Sequence, residues 1–88
     1  MDLNELRNEI NAIDDEILKL FLRRMDVAEQ VADYKREHSL PIYQPQREQE
    51  ILESVSERAG ELGNYARSLF STLMELSKQY QADRGGAP

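Results

Sequence analysis

Cysteine is absent from this 88-residue chain, and histidine occurs once, at His38. The first absence removes disulfides and thiolate metal ligands together. The second leaves too few nitrogen donors for a zinc site. A domain of this size has much surface for little interior, so its own core is marginal. Small chains compensate with disulfides, a bound metal or association with another chain. With the first two removed, oligomerisation is the remedy that remains, and neither a metal nor an organic cofactor is expected.

Long apolar runs are missing as well. No stretch approaches the ~18 residues that a membrane-spanning helix needs. The opening segment MDLNELRNEI is acidic and amphipathic, unlike a signal or transit peptide. Positive charge is scarce: 11 basic residues face 17 acidic ones, for a formal net charge of -6. That balance argues against a nucleic-acid partner, which needs a basic surface, and against an anionic membrane. A soluble, cytoplasmic protein is the expectation. There is no glycine-rich phosphate loop, no Ser–His arrangement and no carboxylate pair clearly facing a common site. Either the reaction needs none of these, or there is no reaction.

What is present is helical periodicity. Apolar residues fall at Leu3, Leu6, Ile10, Ile13, Ile17 and Leu20, in steps of three and four, and the row continues through Val27, Val31 and Tyr34. Neither proline nor glycine interrupts it before Pro41. The pattern predicts a first helix from residue 3 to about 37, closed at His38-Ser39-Leu40-Pro41 because a residue preceding proline avoids the helical region. At roughly 50 Å it is too long for the rest of the chain to cover. Residues 41–46 (PIYQPQ) read as an extended connection, with Pro45 suited to the first turn of a second helix. Ile51, Leu52, Val55 and Ala59 give that helix an apolar face, and Gly60 and Gly63 bracket a turn, Gly60 as a C-cap. A third helix is predicted from Asn64 to Asp83, with Ala66, Leu69, Leu73, Leu76 and Tyr80 as its stripe and Phe70 and Met74 beside it. No segment alternates as a strand would. The expectation is an all-α chain of long, short and medium helices over residues 1–84, with a frayed tail at 85–88, paired into an intertwined helical homodimer.

Polar residues break this pattern in several places. Arg24 occupies a seam position where Ile10 and Ile17 predict another aliphatic side chain. Lys35, eleven residues on, returns to nearly the same face about 16 Å away, with Ala28 and Val31 between. In the third helix the row Phe70, Met74 continues as Ser77 and Gln81. Arg47 and Glu48 precede Ile51 and Leu52 by one turn, and Arg7 flanks Leu6. Each has a plain explanation when taken singly: a snorkelling cation, a surface ion pair or a helix end emerging into water. Together they describe donors aimed into a helical core, with one acid among them, a setting that suits a small polyanion.

These residues and their order resemble the all-helical chorismate mutase family over residues 3–81. The segments that carry the resemblance are LRNEINAIDDEILKLFLRR, VADYK, PIYQPQRE with EIL, and LFSTLMELSKQYQ. It implies conversion of chorismate to prephenate in the synthesis of phenylalanine and tyrosine. It also implies a site role for each matching residue. Arg24 would grip a substrate carboxylate, and Arg47 would orient the anion. Arg7 would reach the pocket from the partner subunit, since it lies about 42 Å from Lys35 along one helix. Lys35 and Gln81 would donate to the ether oxygen, Glu48 would accept from the ring hydroxyl, and Ser77 would donate to a carboxylate. Gln44 stands where many relatives carry aspartate, which opens the identity of the ring substituent. Relatives acting on 4-amino-4-deoxychorismate or isochorismate are the nearest alternatives, and a non-enzymatic helical dimer is the alternative of another class.

Overall fold

A computed structural model describes residues 1–41 and 43–83. Ile42 of the expected connection and the tail at 85–88 lie outside the described residues. The chain forms α1 (Leu3–Glu37), α2 (Pro45–Arg58) and α3 (Gly63–Gln81), with one 3-10 turn, Gly60–Leu62, between the last two. No strand occurs among the described residues. The all-α, long–short–medium order is therefore as the periodicity predicts.

Asp2 starts α1 by accepting the backbone N–H of Glu5 on its side chain at 2.8 Å, satisfying a donor that has no partner inside the helix. With 35 residues, α1 spans about 52 Å at 1.5 Å per residue, nearly the full 54 Å length of the molecule. Pro41 is not what ends it. Ser39 turns into the left-handed region at φ 55, its N–H bonds to the Arg36 carbonyl and that of Leu40 to the Lys35 carbonyl. This paired closure caps orphan carbonyls before the proline is reached. Pro45 opens α2, as its missing N–H and fixed φ favour.

The α2–α3 elbow uses two glycines for two reasons. Gly60 adopts φ 59 just after the C-cap of α2, a region in which a side chain is disfavoured. Gly63 needs space instead: an added Cβ would lie 2.6 Å from the Ser56 carbonyl oxygen. The two helices can approach this closely only because that side chain is missing.

Little of the molecule is interior. Ala32, Val55 and Met74 are the buried apolar side chains among the described residues. The N-terminal half of α1 leaves Leu3, Leu6, Ile10, Ile13, Ile17 and Leu20 between 44% and 62% exposed. On α3 the buried positions are Gly63, Met74 and Ser77, whereas Leu69 and Leu76 of the expected stripe stay open. Helix α3 has apolar residues around much of its girth, and its neighbours cover only part of it. The radius of gyration is 16.2 Å, against about 12 Å for a compact chain of this length. Among the described residues no helix is long and apolar enough to cross a membrane.

Gly63→Ala should cost about 1–3 kcal/mol through overpacking, and Gly60→Ala about 1 kcal/mol through its backbone angle. Each kcal/mol lowers Tm by roughly 4–8 °C in a domain of this size. Thermal unfolding followed by circular dichroism should rank Gly63→Ala as the less stable variant. An unchanged Tm for Gly63→Ala would contradict the close approach at Ser56.

Candidate active-site cleft

Among the described residues the backbones of α1 and α2 stay apart, and α3 packs on both. The contacts Arg24–Ser77 and Ala28–Gln81 advance together, so the C-terminal parts of α1 and α3 run parallel. Glu48 at the start of α2 meets Lys78 near the end of α3, so α2 and α3 form an antiparallel hairpin. What separates α1 from α2 is a cleft of about 790 Å³.

Leu20, Val27, Ala28, Val31 and Ala32 of α1, Ile51 of α2 and Met74 of α3 give the cleft apolar walls. Its polar lining is strongly biased in sign. Arg23, Arg24, Lys35, Arg47 and Lys78 border it, five of the chain's 11 basic residues, against one of its 17 acids, Glu48. An acidic protein thus gathers cations in one concavity, where low-dielectric walls strengthen the attraction for an anion.

Arg24 projects from α1 onto α3, where its Nη1 donates to Ser77 Oγ at 3.4 Å. The Ser77 hydroxyl has one proton, and its shorter bond donates that proton to the Leu73 carbonyl at 3.0 Å, with Met25 Sδ at 3.5 Å as the weaker acceptor. Ser77 is 7% exposed; in this arrangement it serves as an acceptor that orients Arg24. Gln81 donates one amide N–H to the Ala28 carbonyl at 3.3 Å. That bond fixes which way the amide faces, and a second N–H remains on the same nitrogen. Lys35 is half-buried one helical stretch beyond Ala28, as the eleven-residue spacing predicts.

On the opposite wall, Arg47 is largely exposed and its Nη1 lies 3.8 Å from Glu50 Oε2 within α2. Glu48 is engaged across helices: Lys78 Nζ lies 3.0 Å from its Oε1. The same ammonium stands 4.6 Å above the Tyr43 ring. The hydrogen bond to Glu48 raises the pKa of Lys78 above its ordinary value, with the Glu48 charge adding to the effect and desolvation opposing it.

Six of the eight residues singled out from the sequence, Arg24, Lys35, Arg47, Glu48, Ser77 and Gln81, line this one cleft. Two do not. Arg7 lies about 26 Å along α1 from Arg24, on the half of the helix that no described residue covers. Gln44 is the N-cap residue of α2, makes no side-chain capping bond, and borders an adjoining hollow that shares Tyr43 and Arg47 with the cleft. The sequence reading missed Arg23, Tyr43 and Lys78 as lining residues. Lys78 follows Ser77 directly, and a helix turns about 100° per residue, so it lies off the row that ends in Ser77 and Gln81. Its approach to Glu48 depends on the α2–α3 hairpin. Among the described residues no group of histidines and carboxylates could hold a metal ion.

The sequence profile of chorismate mutase type II matches residues 6–82. Several relatives cover at least nine tenths of the chain, among them the following three. The T-protein of Haemophilus influenzae is 33% identical over 81 residues, 92% of this chain and 22% of that protein. A chorismate mutase of Methanocaldococcus jannaschii is 34% identical over 82 residues, 90% of this chain and 83% of that protein. A 4-amino-4-deoxychorismate mutase of Streptomyces pristinaespiralis is 29% identical over 93 residues, 98% of this chain and 71% of that protein. The chain thus spans about a fifth of the T-protein it matches. No solved structure matches it significantly. With the match running from α1 through the end of α3 and taking in both walls of the cationic cleft, the chain belongs to the chorismate mutase type II family.

Proposed function

We propose that the chain converts chorismate to prephenate in the cleft between α1 and α2, and that two copies pair so that Arg7 of one completes the cleft of the other. The observation that carries this is the convergence of five basic side chains and Gln81 on an apolar-walled cleft in a member of this family.

The chemistry requires little else. Chorismate rearranges within itself: its ether C–O bond breaks as a C–C bond forms, and no proton moves and no covalent intermediate arises. Catalysis then rests on geometry and charge. Arg24, held by Ser77, grips one carboxylate of the dianion, and Arg47 attracts and orients it from the facing wall, which restricts the side chain to a reactive pose over the ring. As the ether bond lengthens, negative charge gathers on its oxygen. Lys35 and the second N–H of Gln81 meet that charge with donors already in place, an effect worth about 3–4 kcal/mol per donor in comparable sites. Glu48 accepts from the ring hydroxyl through the carboxylate oxygen that Lys78 leaves open.

Pairing follows from the uncovered half of α1. Six half-exposed aliphatic side chains per copy, at about 1.5–3 kcal/mol for full burial of each, give a symmetric pair on the order of 10 kcal/mol. That gain is comparable with the cost of association, about 4–15 kcal/mol. A partner laid along this seam also brings an Arg7 to a cleft that the same chain's Arg7 cannot reach.

Purified protein mixed with chorismate should consume it and release prephenate; intact chorismate after prolonged incubation would refute the proposal. Arg24→Ala should lose activity about a hundredfold or more while remaining helical. Mixing and refolding Arg7→Ala with Arg24→Ala chains tests the shared site. Each heterodimer then holds one intact cleft, so about a quarter of the wild-type activity should return under random pairing. No recovery, with heterodimers present by sedimentation, would show that Arg7 does not act across the pair. Gln81→Glu places a carboxyl against the Ala28 carbonyl, and it can donate to the ether oxygen only when protonated. Its kcat/KM should therefore rise as pH falls below neutrality, whereas that of the wild type should not. Parallel pH profiles would remove Gln81 from the ether oxygen.

A further inference from the structure

Lys78 is a charged residue of the cleft that the proposed mechanism does not use. Its contacts differ in kind from three other ion pairs among the described residues. Lys19–Glu16, Arg36–Asp33 and Arg47–Glu50 each join residues three apart on one helix. Lys78–Glu48 joins the last turn of α3 to the first turn of α2. Each partner sits at the helix end whose dipole favours its charge, the anion at an N-terminus and the cation at a C-terminus. Tyr43 braces the ammonium from the connection, with its ring 4.6 Å away. Lys78, Glu48 and Tyr43 all border the cleft, so the pair is part of the wall that a ligand meets.

Glu48 without Lys78 would be a bare carboxylate facing the ligand. Such a group accepts a hydrogen bond from a hydroxyl, but it binds an ammonium more strongly still. With Lys78 on one oxygen, the carboxylate keeps its acceptor capacity on the other while its net charge towards a ligand is largely cancelled. A ligand ammonium placed there would also lie a few ångströms from a second ammonium. An allylic amine is mostly protonated at neutral pH, and the hydrogen bond to Glu48, with the Glu48 and Glu75 charges behind it, keeps Lys78 protonated as well.

We propose that Lys78 is a specificity-determining residue: its ammonium, held on Glu48, admits a neutral hydroxyl at the ring position Glu48 contacts and rejects a cationic amino group there. This rests on the reading of the cleft as a chorismate site and names the substituent it selects. Repulsion between two like charges in a partly solvated wall is worth roughly tenfold in affinity.

The test compares chorismate with 4-amino-4-deoxychorismate on the wild-type protein, Lys78→Met, Lys78→Gln and Lys78→Arg. The readouts are kcat/KM for each compound and, by calorimetry, Kd for each. The preference for the hydroxyl compound should fall roughly tenfold in Lys78→Met and Lys78→Gln, and should persist in Lys78→Arg, which keeps the charge. If Lys78 only braces α2 against α3, both compounds lose equally and the ratio stays put, which overturns the proposal. An unchanged ratio in a fully active variant overturns it too. Should the wild type turn over neither compound, the assigned reaction fails, and the binding ratio alone still decides the role of Lys78. If one neutral variant fails to fold by circular dichroism, the other carries the comparison.

Discussion

A helix of 35 residues in a chain of 88 cannot be covered by what is left, and most features of the molecule follow from that mismatch. Helix α3 can lie against only the C-terminal part of α1. The N-terminal part stands clear with its aliphatic row open. Helix stability in water comes chiefly from packing an apolar face, so this segment needs a surface from outside the chain. The same geometry holds α1 and α2 apart, and the gap between them becomes a cleft rather than a core. A chain that filled its own interior would have nowhere to receive a ligand.

Charge is distributed with the same logic. The protein is acidic overall, yet cations dominate the cleft. Burying a cation is costly without a partner, and Arg24 has a hydroxyl rather than a carboxylate to lean on. A neutral acceptor orients the guanidinium and leaves its charge available. Glu48 receives opposite treatment, since a lysine already compensates it. The cleft thus presents a net positive lining to an anion.

The helices were legible because their cues are local. Apolar spacing gave α1 and α2 to within a residue or two, Pro45 marked the start of α2, and Gly60 its end. The proline rule places the stop of α1 at Pro41, whereas the helix is closed at Ser39 by a left-handed conformation that nothing in the sequence requires of a serine. Arg24, Lys35, Ser77 and Gln81 were visible as interruptions in apolar rows, a signal that periodicity makes readable. Lys78 was not, because it lies off the row and its partner is thirty residues away. Gln44 enters the expected site only through the family resemblance, at a position where many relatives carry aspartate. As the N-cap residue it precedes the helical turn that carries Arg47 and Glu48 to the cleft, and it borders the hollow that adjoins the cleft at Tyr43 and Arg47.

Because α3 is the common support for two helices whose backbones stand apart, the nineteen residues of Gly63–Gln81 act as a spine. Ser77, Lys78 and Gln81 sit within two turns of one another on it, and each reaches a different wall or carbonyl. A change of side chain on this one segment therefore alters both banks of the cleft at once. Divergence in ligand preference among similar chains can proceed by rewriting a single contiguous stretch of sequence, with the scaffold left untouched.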